Sequence, residues 1–192
     1  MHFIDTNIPD LKVFEPTVFE DSRGYFFESY NAKVFKEEAG ITSNFVQDNH
    51  SKSSFGVLRG LHYQLEPHAQ AKIVCALHGE VLDVAVDIRK GSPTYGRHFS
   101  VVLSDDNKKQ LYIPKGFAHG FAVLTETAVF AYKCDGFYAK EYEAGIIYND
   151  PALNIDWQID TSNAIVSDKD KELPLLENAE NNFEYQKQES GA

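Results

Sequence analysis

Two stretches of the chain crowd polar side chains into sequence that otherwise reads as strand. They are Gln47-Asp48-Asn49-His50 and Leu58-Arg59-Gly60-Leu61-His62-Tyr63-Gln64. Burying that many polar groups without partners costs about 1–3 kcal/mol each. They must therefore lie on a solvated outer sheet face or line a wet cavity. For a single strand histidine the plain reading is an exposed or internally hydrogen-bonded ring; inside a small barrel, a ligand cavity becomes the stronger alternative. Arg59 and His62 are three residues apart, so strict alternation puts them on opposite faces, and only a bulge at Gly60 brings both to one side. Further along, His119 shares a face with Phe117, Phe121 and Val123, and Tyr132 shares one with Ala128, Phe130 and Cys134. Both faces are mostly apolar and are expected to point inward. An inward His and Tyr need partners, which a core hydrogen bond or a cavity supplies equally well.

Other chemistries lack their residues. The chain has seven histidines but no His-X-His pair; His62 and His68 are too far apart to be paired ligands on one strand face, and half of a metal-barrel pattern is missing, so no metal is expected. There is no Gly-X-Ser-X-Gly elbow, no P-loop and no dinucleotide fingerprint. Asn49-His50-Ser51 matches a glycosylation sequon, but the chain shows no secretion signal and the match is read as chance.

The elements that must position these residues are mainly strands. Glu80–Ile88 alternates with Leu82, Val84, Val86 and Ile88 on one face and Val81, Asp83, Ala85 and Asp87 on the other. Similar runs are Leu11–Phe14, Tyr25–Tyr30, Phe45–Asn49, Val57–Tyr63, Lys72–Leu77, Phe99–Leu103, Gln110–Ile113, Gly116–Leu124 and Thr127–Cys134. Turn residues such as His78-Gly79 and Asp105-Asp106-Asn107 punctuate them. About ten short strands at this spacing predict an all-β barrel or sandwich. A helix is expected over Ala32–Ala39, capped by Asn31 and stopped by Gly40, and a second within Thr161–Glu180, starting near Ser167 or Asp168. From Asn178 the composition turns polar and fraying is expected, leaving residues 1–180 as one domain and 181–192 as a polar tail.

A length of 192 residues fits one domain, and 43 % hydrophobic with 13 % aromatic residues suffices for a core. No apolar run is long enough for a membrane helix, and the start lacks a basic-then-apolar leader. A net charge of −11 argues against a general nucleic-acid binder, while leaving room for a small anion held by a few local cations. Cys75 and Cys134 are expected as free thiols in a reducing cytoplasm.

Several motifs then stand in order: Asp21-Ser22-Arg23-Gly24-Tyr25-Phe26-Phe27-Glu28, Gln47-Asp48-Asn49-His50-Ser51, Val57-Leu58-Arg59-Gly60-Leu61-His62-Tyr63-Gln64 and Tyr112-Ile113-Pro114-Lys115-Gly116-Phe117-Ala118-His119-Gly120-Phe121, followed by Tyr132-Lys133-Cys134, Tyr138 and Asn149-Asp150-Pro151. Over residues 2–175 the chain resembles the dTDP-4-dehydrorhamnose 3,5-epimerases, metal-free cupin enzymes of rhamnose biosynthesis. The resemblance implies a cupin-type jelly-roll β-barrel with a few short peripheral helices, and a homodimer completed by N-terminal strands. It implies no cofactor, a dTDP-sugar substrate, and neither nucleic acid nor membrane as a partner. His62 would be the base, Asp170 would steady its imidazole, Tyr132 would return a proton on the opposite face, and Lys72 would stabilise the enolate at the C4 oxygen. Arg23, Glu28, Gln47, Asp48, Asn49, Arg59, His119, Glu143 and Lys169 would contact the nucleotide sugar, and Phe26 and Tyr138 would stack near the thymine or shape the pocket. These residue types suit the reaction: inverting a carbon beside a ketone needs a base on one face, an acid on the other and a cation at the enolate oxygen. The rival expectations are a single-centre epimerase or ketoisomerase on another dTDP-4-keto-sugar, a cupin that binds a nucleotide sugar without turnover, and a metal-dependent cupin oxygenase.

Overall fold

The computed structural model describes residues 1–186. In chain order the strands are β1 (His2–Asp5), β2 (Lys12–Glu15), β3 (Phe19–Asp21), β4 (Gly24–Phe26), β5 (Gln47–Ser54), β6 (Leu58–Gln64), β7 (Lys72–His78), β8 (Glu80–Asp87), β9 (His98–Ser104), β10 (Gln110–Ile113), β11 (Phe117–Val123), β12 (Thr127–Cys134) and β13 (Glu143–Gly145). The helices are α1 (Ala32–Ala39) and α2 (Asp168–Lys171), with three single 3₁₀ turns. One antiparallel sheet has the order β1-β2-β10-β7-β12-β5 and a second the order β13-β6-β11-β8-β9; β3 and β4 form a separate hairpin. The two large sheets pack face to face as a jelly roll of the cupin type.

The alternation read in β8 is explained by cover on both sides. Val81 and Ala85 face inward with Val74 and Ala76 of β7, Leu111 and Ile113 of β10, and Phe121 and Phe130, in one core between the sheets. Leu82, Val84, Val86 and Ile88 face the other way, into a second core closed by Ile146, Leu153, Trp157, Val166 and Phe183 from the C-terminal segment. Helix α1 packs Phe35 edge-on against Phe14 at 4.7 Å. Its ends are those the sequence predicts: the Asn31 side chain accepts from the Lys33 and Val34 amides, and Gly40 takes φ +69°.

Elsewhere the structure differs from the sequence reading. The predicted Phe45–Asn49 strand starts at Gln47 and runs on to Ser54, paired residue for residue with β12. Its polar residues concealed it, because one face meets the cavity rather than a core. Tyr25–Tyr30 is not one strand: β4 ends at Phe26, and the chain leaves the sheet to reach the Asn31 cap. Strands β1, β3 and β13 were not foreseen. The helix expected within Thr161–Glu180 starts at Asp168, as predicted, with Ser167 as its cap, but is only four residues long; the Ser167 hydroxyl accepts from the Asp170 amide at 3.1 Å. Pro174 follows too soon for it to continue.

The segment from Asn178, expected to fray, is docked as far as Tyr185. Phe183 is buried against Tyr63 with ring centroids 6.1 Å apart. The Lys90 amide donates to the Phe183 carbonyl at 3.0 Å, and the Tyr185 amide donates to the Lys90 carbonyl at 2.8 Å. One aromatic anchor and a short parallel bridge are too little pattern to stand out in a polar stretch. The remainder of the predicted tail, residues 187–192, lies outside the described residues. Phe183→Ala should therefore lower unfolding stability by about 3 kcal/mol, the cost of emptying a buried aromatic site. Urea unfolding of the variant checks this; an unchanged midpoint would return the segment to a frayed tail.

Candidate active site

A cavity of about 560 Å³ opens at one end of the barrel between the two large sheets. Arg59 and His62 of β6 and His119 and Phe121 of β11 line one wall; Ser51, Lys72, Phe130 and Tyr132 of the facing sheet line the other. Ile165, Val166, Lys169 and Asp170 close its edge.

Arg59 and His62 reach the same cavity because β6 carries the bulge expected at Gly60. His62 pairs with His119 and Arg59 with Phe121, so three steps along β6 match two along β11. Gly60 has φ +108°, and a Cβ there would lie 2.6 Å from the His119 carbonyl oxygen. Only glycine satisfies both the backbone conformation and the close approach.

His62 Nε2 lies 2.8 Å from Asp170 Oδ1. The Gly60 amide donates to Asp170 Oδ2 at 3.0 Å, so one buried carboxylate ties the bulge, the imidazole and α2 together. Burial works against the charged form of Asp170, but the hydrogen bonds from His62 and the Gly60 amide outweigh it and hold the carboxyl below its usual range. A carboxylate only accepts, so His62 donates through Nε2–H and keeps Nδ1 free for a proton.

On the opposite wall Lys72 is half-buried, its Nζ 6.0 Å from the centre of the Tyr132 ring. Burial lowers the Lys72 pKa; Cys134, Asp83 and Glu143 oppose that shift. Burial raises the Tyr132 pKa, reinforced by Cys134 and opposed by Arg59, so the phenol keeps its proton at neutral pH. His119 pairs with a fully buried carboxylate, its Nε2 being 2.9 Å from Asp83 Oδ2.

A connected polar set runs outward from Lys169 at the cavity edge. Lys169 Nζ contacts Glu143 Oε2 at 2.6 Å, and the Tyr138 hydroxyl donates to the same oxygen at 2.8 Å. The Tyr138 amide donates to Gln47 Oε1 at 3.3 Å, and Gln47 Nε2 donates to Asn49 Oδ1 at 3.1 Å.

Of the expected residues, Gln47, Asn49, Tyr138 and Glu143 do not line the cavity themselves and join it only through the Lys169–Glu143 contact, and four others stand away from it altogether. Asp48 faces the other side of β5, where Lys133 Nζ pairs with it at 2.9 Å. Period-two alternation explains this, because Gln47 and Asn49 already occupy the opposite face. Arg23 and Phe26 stand exposed on the β3–β4 hairpin, Arg23 paired with Asp21, and Glu28 accepts from Asn31 Nδ2 at 3.1 Å. Asp83 was missed as a site residue, although an aspartate between Val81 and Ala85 on an inward face was a usable signal. Among the described residues, no group of three or more His, Cys, Asp or Glu side chains is placed to hold a metal, and no helix is long and apolar enough to cross a membrane. Cys75 and Cys134 are both free thiols.

Two antiparallel sheets closed around a histidine–carboxylate pair, a facing tyrosine and a half-buried lysine define a cupin-type barrel whose cavity carries groups able to move protons. The family model described as dTDP-4-dehydrorhamnose 3,5-epimerase matches residues 5–178. The dTDP-4-dehydrorhamnose 3,5-epimerase of Shigella flexneri is 58 % identical over 170 residues, covering 88 % of this chain and 93 % of its own length. The crystal structure of the enzyme of that name from Elizabethkingia anophelis superposes with a TM-score of 0.89 at 55 % identity, covering 92 % of this chain and 97 % of its own. The dTDP-6-deoxy-D-glucose-3,5-epimerase of Legionella pneumophila, solved in complex with dTDP-4-keto-L-rhamnose, gives a TM-score of 0.89 at 52 % identity, covering 92 % and 93 %. The chain belongs to the dTDP-4-dehydrorhamnose 3,5-epimerase family, and it is an isomerase.

Proposed function

We propose that the chain converts dTDP-4-dehydro-6-deoxy-α-D-glucose to dTDP-4-dehydro-β-L-rhamnose by inverting C3 and C5, with His62 as base and Tyr132 as acid. The observation that carries this reading is the His62–Asp170 hydrogen bond of 2.8 Å on one wall of a cavity whose other wall presents Tyr132 and Lys72. His62 Nδ1 takes the proton from a carbon beside the C4 ketone. The C–H electron pair moves into a C–C double bond, and the carbonyl π electrons move onto O4. The Lys72 ammonium stabilises that enolate. Tyr132 then gives its phenolic proton to the other face of the carbon, and exchange with water returns both groups to their starting states. The same cycle at the second carbon completes the reaction. Arg59, Gln47, Asn49, His119, Glu143 and Lys169 would hold the nucleotide sugar, with Tyr138 against the thymine.

Arg23, Phe26 and Glu28 fit the site only as contributions from a second copy, and a homodimer is part of the proposal. Two features support it: the hairpin that carries Arg23 and Phe26 is exposed, and the outer face of the six-stranded sheet holds a concavity of about 220 Å³ beside the exposed Leu77 and Tyr25. The two free thiols support a reducing, cytoplasmic setting. A subunit-mixing experiment tests the shared site. Arg23→Ala, which weakens the grip on the diphosphate, and His62→Ala, which lacks the base, are assayed separately and after remixing. Each hybrid dimer contains one intact site, so remixing should restore about a quarter of full activity. No gain on mixing, with hybrid dimers present by mass spectrometry, would place Arg23 in its own subunit's site or outside any site.

A further inference from the structure

The cavity holds a second histidine–carboxylate pair that the proton-transfer scheme leaves unassigned. Asp83 sits on β8 with no exposed surface, and His119 sits on the adjacent β11, directly opposite His62 across the ladder. The Asp83 Oδ2–His119 Nε2 distance is 2.9 Å. Asp83 Oδ1 is the one fully buried side-chain polar atom without a partner among the described residues. Two consequences follow. Leaving a carboxylate oxygen unpaired in the interior is costly, so structural need alone is a poor reason for an aspartate there. His119 Nδ1 makes no side-chain hydrogen bond and is not among the fully buried unpartnered atoms, so it is open to the cavity that its ring lines.

We propose that Asp83 is a positioning residue that fixes His119 as the Nε2–H tautomer, presenting a bare Nδ1 to accept a hydrogen bond from a sugar hydroxyl. This rests on the nucleotide-sugar reading of the cavity. Because the carboxylate only accepts, the hydrogen between it and the ring belongs to Nε2. Burial pushes the His119 pKa down, the Asp83 charge opposes this, and Lys72 and His62 push it down further, so the ring is neutral. His119 therefore differs from a cationic contact: it selects a hydroxyl donor on the sugar and offers nothing to a phosphate or a carbonyl oxygen. Stacking on Phe130, at 6.1 Å between centroids, limits its rotation. The two histidines thus share one architecture and divide the work, His62 moving protons and His119 reading a hydroxyl.

The test begins with the unmodified enzyme labelled with ¹⁵N-histidine, the His119 signals being assigned as those missing in His119→Gln. The expected spectrum shows protonated Nε2 and bare Nδ1. Adding dTDP-L-rhamnose, which lacks the ketone and cannot be enolised, should move the Nδ1 signal toward that of a hydrogen-bonded acceptor without adding a proton. Asp83→Asn should mix the tautomers and lower kcat/KM about tenfold or more. In the double variant with His119→Gln, the Asp83 change should add little, because it acts through His119. A wild-type Nδ1–H tautomer, an imidazolium, an Nδ1 signal unmoved by the ligand, or additive losses would each overturn the proposal. The wild-type spectrum decides even if Asp83→Asn fails to fold. Turnover of the 4-keto sugar separates the two readings: an active enzyme with the wrong tautomer defeats this inference alone, and an inactive enzyme defeats the functional reading.

Discussion

His62→Ala should lose inversion and solvent exchange together, by about 10²–10⁴-fold, the usual worth of a positioned general base. No other residue in the cavity matches its combination of features. It is partly open to the cavity, its Nε2 is held by a buried carboxylate, and its free nitrogen is left to take a proton. His119 also has a carboxylate on Nε2, but its ring is 8 % exposed against 32 % for His62, and burial beside Lys72 and His62 disfavours its imidazolium. Without a base no enolate forms, so deuterium from solvent should not enter the substrate at either carbon. Asp170→Asn should follow the same pattern more weakly, because the amide keeps the shape but not the charge that favours the imidazolium. NMR in D₂O measures both quantities, with circular dichroism confirming the fold. Exchange persisting in a folded His62→Ala variant would move the base elsewhere.

Tyr132→Phe should fail differently. The variant keeps His62 and the half-buried Lys72, so the enolate still forms and a proton still returns by the face it left. Deuterium should therefore wash into the substrate with retention, while inversion falls by about 10²-fold or more. The competing view makes Tyr132 one more packed residue on the face that carries Ala128 and Phe130. Its ring is indeed 6.2 Å from Phe130 and joins the core between the sheets. On that view, losing one hydroxyl changes stability modestly and leaves the ratio of exchange to inversion untouched. The ratio, measured by NMR on the same sample, separates the two, and an unaltered ratio returns Tyr132 to the core.

Much of this was legible because strand alternation is a strong signal wherever one face is apolar. The inward placement of His119 and Tyr132 followed from their neighbours alone, and the Gly60 bulge followed from the demand that Arg59 and His62 meet. The His62–Asp170 contact was different. It joins residues 108 positions apart through a four-residue helix, and only the resemblance to a family pointed to it. Strand β5 was misplaced because its inward residues are polar, which is what a cavity wall requires and what a core pattern excludes. Short pairings such as β1 and β13 carry too few residues to show a period. Asp83 was visible as an acid between Val81 and Ala85, yet nothing local in sequence reveals that His119 lies beside it.

Incubating the wild-type enzyme with dTDP-4-dehydro-6-deoxy-α-D-glucose in D₂O and counting deuterium in the product tests the central claim most directly. One base and one acid on facing walls, serving both carbons beside C4, should give a product of L-rhamno configuration with one deuterium at C3 and one at C5. Deuterium and inversion at one carbon only, or inversion without any deuterium, would contradict the account.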